Sequence, residues 1–462
     1  MVLARLLSPT DFGLVGMVTA LTGILNLFRD FGLSTAAVQR ATVTEEQIST
    51  LFWINLFVGI VLAILTIALA PAVALFYHEP RLIWVTIVLA GGFVFNSAGV
   101  QHEALLLRDL RFTALAWLGL LSLVISIAIG IGMALRGYGY WALVGMTLAA
   151  PLVSSIGMWL IAKWVPGMPR RQVEVRSMMR FGGTITLNGL VVYVAYNLEK
   201  VLLGRYWGAD VVGVYGRAYQ LSNIPTDNLN SSVGVVAFSA LSRLQDAPQR
   251  LRSYFLKGYS LVLACTLPIT ILCALFASDA ISVLLGPKWN ATAPIFRFLA
   301  PTILSFAMIN PFAWLLFSIG EVRRSLKIAL VIAPLVITGY VIGLPYGPKG
   351  VAIGYSTAMA LWIIPHIVWC IKGTAISFHD VMHTVSRPLV SGTVAAALPF
   401  ALQFYYGQLL SPLARLIIGS TLFAGIYLWM LLYVQGQKTF YMDLLRALRR
   451  RSSDEEKTLS LA

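Results

Sequence analysis

The chain has 462 residues, of which 58% are hydrophobic and only 11% charged. A soluble domain carries about 25% charged residues, so this composition excludes a soluble enzyme or binding module. The net charge of +15 would suggest nucleic acid in a soluble protein. Here basic loops on one side of a membrane explain it, and no nucleic-acid partner is expected.

Apolar runs of about 20 residues separated by short polar turns mark membrane spans. They fall near 12–38, 48–77, 82–104, 112–135, 139–163, 181–204, 209–240, 254–277, 292–318, 325–344, 349–371, 387–407 and 412–434. All are expected to be helices. Lipid leaves no other way to satisfy backbone groups short of a closed barrel, and the runs lack a barrel's alternation. Val2–Leu7 reads as the last turn of a helix whose body is missing. One further span ahead of Met1 is therefore expected in the parent, giving fourteen.

The first span carries the clearest anomaly. Asn26, Arg29 and Asp30 lie well inside it, and a charge at that depth costs roughly 2.5–3.5 kcal/mol on insertion scales. Arg29 is roughly 16 Å from the basic end at Arg40, near the midplane. Asp30 points about 100° away from it, so the two are poor direct partners. Glu199 and Lys200 sit toward the outer end of their span, where snorkelling is cheap. Arg217 and Arg297 follow in later spans. The interior is thus mainly cationic. Guanidinium groups bind phosphate in bidentate fashion, so Arg29, Asn26, Lys200, Arg217 and Arg297 are candidate contacts for an anionic head group. Asp30 and Glu199 are candidates for ion coupling.

Most other Lys and Arg residues cluster in alternate loops: Arg108 and Arg111; Lys163 to Arg180; Arg243 to Lys257; Arg323 to Lys327; Lys372 and Arg387; and the tail from Lys438. The positive-inside rule makes these ends cytoplasmic, the C-terminus included. The opposite ends hold single cations such as Arg81, Arg136 and Lys288.

The chain also repeats. Residues 3–21 align without gaps on 203–221, matching Leu3/Leu203, Arg5/Arg205, Gly13/Gly213, Gly16/Gly216 and Leu21/Leu221. Both stretches are outside turns leading into a span, as in parallel repeats about an axis along the membrane normal. The expected organisation is an N-terminal helical lobe over 1–163 and a basic inter-lobe linker over 164–180. A C-terminal lobe follows over 181–371, then two additional spans over 387–434 and an amphipathic cytoplasmic tail over 435–462. The second half holds more intramembrane prolines, among them Pro225, Pro268, Pro301, Pro311, Pro334 and Pro365. These are bends or hinges.

Enzyme constellations are largely missing. His379 and His383 have the i,i+4 spacing of a metal pair but no third ligand nearby in sequence, and Cys265, Cys273 and Cys370 lie in apolar runs. No cofactor or metal is expected. A membrane-embedded polymerase or glycosyltransferase would need a sizeable outside loop bearing acids. The longest outside connection, 278–291, offers only Asp279.

The ordered series ARLLSPTDFGLVGM, FRDFGLSTAAVQR, LLLRDLRF, YNLEKVLLGRYWGADVVGVYGRAYQL, AFSALSRLQD and LLGPKWNATAPIFRFLAP resembles the lipopolysaccharide and exopolysaccharide exporters of the polysaccharide transporter family. That family shares a superfamily with MATE multidrug exporters and oligosaccharide flippases. The resemblance implies an all-α polytopic membrane protein with two parallel six-helix lobes plus two C-terminal helices. It also implies a non-enzymatic flippase of the bacterial inner membrane. Its substrate would be undecaprenyl-pyrophosphate-linked oligosaccharide, moved by alternating access in a monomer beside polymerase and glycosyltransferase partners. The family supplies no fixed catalytic residues, so the site residues above rest on charge alone. The rival is a MATE-type small-molecule antiporter, which should show coupling carboxylates in its first lobe.

Overall fold

The computed structural model describes residues 1–28, 44–168, 176–406, 410–439 and 441–442. Among these, every regular element is helical. In chain order they are α1 (Val2–Leu6), α2 (Pro9–Phe28), α3 (Glu45–Tyr77), α4 (Leu82–Arg108), α5 (Phe112–Leu135), α6 (Trp141–Ala162), α7 (Arg176–Ser242), α8 (Pro248–Leu275) and α9 (Ala277–Leu284). A short turn at Pro287–Trp289 follows, then α10 (Thr292–Ser318), α11 (Val322–Gly343), α12 (Gly347–Ile371), α13 (Phe378–Tyr406) and α14 (Pro412–Trp429). Each expected span falls on a helix over its described residues. By length and composition, ten helical stretches among them are long and apolar enough to cross a membrane. The protein is a multi-pass membrane protein.

Helix ends follow local chemistry that an apolar window does not resolve. α3 starts at Glu45 because Thr44 and Gln47 form a reciprocal capping box. α13 starts nine residues before the expected span, at Phe378. There the Ser377 amide donates to Asp380 Oδ2 at 2.9 Å and the Asp380 amide donates to Ser377 Oγ at 3.1 Å. α7 combines two expected spans. Its break is Gly208, at φ 83° and ψ −179°, a conformation open in practice to glycine alone.

The chain forms two compact units that interleave in sequence. The first comprises Met1–Tyr219, Leu284–Ile295 and Leu326–Ala358. Within it α3 packs chiefly on α4, α5 on α6, and α4 on α6. Leu62, Ala63, Ala90 and Phe93 form a buried cluster between α3 and α4. The second unit comprises Gln220–Val283, Phe296–Ser325 and Met359–Ala462. There α13 packs on α8 and α14 around Ala264, Leu267, Ala395, Phe423, Tyr427 and Leu431, and the Tyr427 hydroxyl donates to Ala264 O at 2.9 Å.

The sequence repeat has a structural counterpart inside the first unit. A Cβ on Gly13 would run into the carbonyl of Ala209, and a Cβ on Gly213 would run into the carbonyl of Pro9. Pro9 and Ala209 occupy equivalent places 200 residues apart. The contact is therefore reciprocal, as across a two-fold axis. Thr10 Oγ1 donates to Asp210 Oδ1 at 3.3 Å in the same turn.

Candidate functional site

The expected site residues divide into four settings. Arg29 and Asp30 lie outside the described residues. Asn26 stands on α2 at the wall of a cavity in the first unit. Glu199, Lys200 and Arg217 lie on α7, also in the first unit, whereas Arg297 belongs to the second.

Glu199 differs from expectation. It is fully buried, not snorkelling, and its carboxylate is met by the backbone amides of Glu199 and Lys200, with no side-chain hydrogen-bond partner among the described residues. Its surroundings are tyrosines. Tyr215 and Tyr340 lie within its electrostatic reach, and Tyr340 meets Tyr355 at a tilt with ring centres 5.4 Å apart. Tyr355 in turn hydrogen-bonds to Tyr219, whose ring lies 6.1 Å away. Tyr215, Tyr340 and Tyr355 are each fully buried, and the hydroxyls of Tyr215 and Tyr340 have no partner among the described residues. Tyr340 and Tyr355 come from α11 and α12, whose backbones touch where Gly339 meets Gly354. A carboxylate in this setting is costly in its charged form unless a positive charge joins it. Lys200, the next residue, bears on it electrostatically but makes no ion pair with it. Its Nζ donates to Asn197 Oδ1 at 2.8 Å and lies 5.5 Å from the Tyr219 ring centre.

Arg217 stacks its guanidinium 3.8 Å from the Phe12 ring centre. Phe12 in turn meets Trp289 edge-on at 5.4 Å, and the fully buried Trp289 donates Nε1–H to Ala4 O at 2.7 Å. One file of side chains thus ties α7, α2, the Pro287–Trp289 turn and α1. Cation–π contacts are worth about 0.5–2 kcal/mol, more when desolvated. Phe12→Leu is therefore expected to lower stability by about 1–2 kcal/mol, read as a drop in melting temperature of the purified protein. An unchanged melting temperature would remove the stack from the account. Sequence reasoning named Arg217 and missed Phe12 and Trp289, which as apolar residues in apolar stretches carry no local signal.

Arg297 is exposed, and its Nε donates to Ala274 O at 3.1 Å. It also bears on Asp279, the acid of α9, which pairs with Arg415 at 2.8 Å. Burial pushes the Asp279 carboxyl up from its ordinary value, against the opposing pull of Arg415 and Arg297. His379 and His383 stack with ring centres 6.1 Å apart on the exposed start of α13.

The cavity at Asn26 is lined by Thr19, Thr22, Asn26, Leu89, Gly92, Phe93, Asn96, Thr147, Leu148 and Pro151 and has a volume of about 110 Å³. Its floor is fixed by α7. Tyr193 donates its hydroxyl to Thr19 O at 3.2 Å and Ala20 O at 3.3 Å, fitting against the bare backbone of Gly23.

The sequence matches the family described as "Polysaccharide biosynthesis protein" over residues 2–294. The chain belongs to that family. It is 26% identical over 361 residues to the lipopolysaccharide biosynthesis protein WzxC of Escherichia coli K12, covering 77% of this chain and 73% of WzxC. It is 23% identical over 310 residues to the succinoglycan biosynthesis transport protein ExoT of Rhizobium meliloti, covering 67% of this chain and 62% of ExoT. Among solved structures, the lipid II flippase MurJ in an inward closed conformation superposes with a TM-score of 0.75 at 15% identity. That superposition covers 96% of this chain and 95% of MurJ. The expected polysaccharide family and the expected all-α polytopic membrane fold are both borne out.

Proposed function

We propose that this member of the family is a flippase for lipid-linked oligosaccharide. It moves undecaprenyl-pyrophosphate-linked repeat units of lipopolysaccharide or exopolysaccharide across the bacterial inner membrane, with its C-terminus in the cytoplasm. The observation that carries the reading is the family match through the first nine helices of a chain with the MurJ fold. The names of WzxC and ExoT point to the same substrate class. No bond is made or broken in this reading. Arg29, Lys200 and Arg217 supply positive charge for the pyrophosphate, and Asn26 faces the sugar. Glu199 and Asp30 are the acids available for coupling. The substrate is moved by alternating access.

Deleting the gene is expected to halt polymer export and to accumulate lipid-linked sugar intermediates in the membrane. Drug accumulation without those intermediates would instead mark a small-molecule antiporter. Arg29→Ala is expected to fail in complementation while the protein remains in the membrane at wild-type levels. Wild-type export from that variant would remove Arg29 from the site.

A further inference from the structure

The cavity at Asn26 has a polarity unlike that of the cationic residues. Among the described residues, its lining carries no charged side chain. Its three threonines share one orientation of hydrogen bonding. Thr19 donates its hydroxyl proton to Gly16 O at 3.2 Å, Thr22 to Val18 O at 3.0 Å, and Thr147 to Leu143 O at 2.8 Å. Each hydroxyl proton is thus spent on its own helix, leaving the hydroxyl oxygens as acceptors. Asn96 donates one Nδ2–H to Gly92 O at 2.8 Å. It keeps Oδ1 as an acceptor and a second N–H, and the Asn26 amide adds both kinds of group to the lining. Pro151 adds one more acceptor. It has no N–H, so the Thr147 carbonyl one turn earlier loses its helical donor. Leu89, Phe93, Leu148 and the Pro151 ring complete the lining.

We infer that this cavity is a carbohydrate subsite, in which Thr19, Thr22, Asn96 and Thr147 accept hydrogen bonds from the hydroxyls of one sugar ring of the lipid-linked substrate. The inference rests on the flippase reading and adds where the sugar is recognised and by which atoms. A sugar ring presents hydroxyl donors at its rim and C–H groups on its faces, matching an acceptor edge beside an apolar wall. An anion is poorly served here, because the lining carries no cation and its threonine oxygens are acceptors. The volume, equal to about seven water positions on the same measure, suits a ring rather than a dehydrated ion. The pyrophosphate is left to the cations. Sugar and anion would then be read by separate groups of side chains.

The test uses the full-length protein in lipid nanodiscs and two probes. One is undecaprenyl pyrophosphate; the other is the same lipid carrying N-acetylglucosamine. The wild type is expected to bind the sugar-bearing lipid more tightly. Asn96→Leu combined with Thr147→Val removes two acceptors with little change of shape. At a net worth of about 0.5–1.5 kcal/mol per hydrogen bond, the pair is expected to cut that preference about tenfold. Binding of undecaprenyl pyrophosphate should not change. Thr22→Val alone should give a smaller loss of the same kind, and Arg29→Ala should weaken both lipids alike. Unchanged preference in the double variant overturns the subsite. So does equal weakening of both probes, which would mark a structural role. A sodium-dependent signal lost in the double variant, with sugar preference kept, would make the cavity a cation site and also overturn it. If the wild type binds neither lipid, the flippase reading itself fails, a result distinct from the others.

Discussion

Gly213→Val is expected to abolish accumulation of folded protein in the membrane, and Gly13→Val to do the same. The two glycines meet the backbone carbonyls of Pro9 and Ala209, so a side chain there has no flexible neighbour to displace. Overpacking a core usually costs about 1–3 kcal/mol because rotamers and backbone can shift. Here only whole helices can shift, and the cost should reach about 3 kcal/mol or more, against a total stability of about 5–15 kcal/mol. An internal control exists. A Cβ on Gly216 meets nothing within 4 Å, so Gly216→Ala should be neutral or mildly stabilising through its better helix propensity. The measurement is the monodisperse peak of a fluorescent fusion on size exclusion, followed by its melting temperature. A Gly213→Val peak and melting curve equal to wild type would dismiss the reciprocal contact as a packing constraint.

That contact also shows what the sequence could and could not disclose. Gly13/Gly213 and Gly16/Gly216 look equivalent as letters. In the structure the first pair is a close backbone approach on both sides, while Gly16 meets only the Val212 side chain and Gly216 meets open space. Identity in a repeat flagged the region without ranking its members. The spans were legible because continuous apolar runs leave the backbone one option in lipid. Their ends were less so. The capping residues Thr44, Gln47, Ser377 and Asp380 were visible, but they extend helices past the apolar window into polar sequence. The cationic residues stood out against an apolar background, yet their partners did not. Phe12 meets Arg217 from about 200 residues away and Trp289 meets Phe12 from still farther along the chain, and both are ordinary apolar letters. The acceptor cavity was hidden for a further reason. Thr19, Thr22, Asn96 and Thr147 are unremarkable helix residues until α2, α4 and α6 bring them to one wall.

Glu199→Gln is expected to leave the protein folded and to remove the dependence of transport on an ion gradient. Position along the span suggested a carboxylate reaching for the interface. α11 and α12 instead close over it with Tyr340 and Tyr355, residues more than a hundred positions away that no local pattern connects to it. No side chain among the described residues donates to either oxygen, and the neighbouring Lys200, which bears on it electrostatically, gives its hydrogen bond to Asn197. Burying an unpaired charge costs several kcal/mol, so a purely structural role would select an amide or an apolar residue here. An acid kept in such a place is suited to taking up and releasing one positive charge, a proton or a monovalent cation. The phenolic oxygens of Tyr215 and Tyr340 are available to share it. Glutamine keeps the shape and cannot change charge. In proteoliposomes the variant should lose most transport driven by a pH or sodium gradient, about tenfold or more if the coupling is worth 1.4 kcal/mol or above, while its melting temperature holds or rises. Transport that keeps the wild-type response to both gradients would exclude Glu199 as the coupling group. A fall in melting temperature with the gradient response intact would assign it to structure alone. The distinction matters for the cationic residues as well, since a substrate bearing pyrophosphate is drawn to them in either direction. Only a group that changes charge between the two faces of the membrane can bias that exchange toward export.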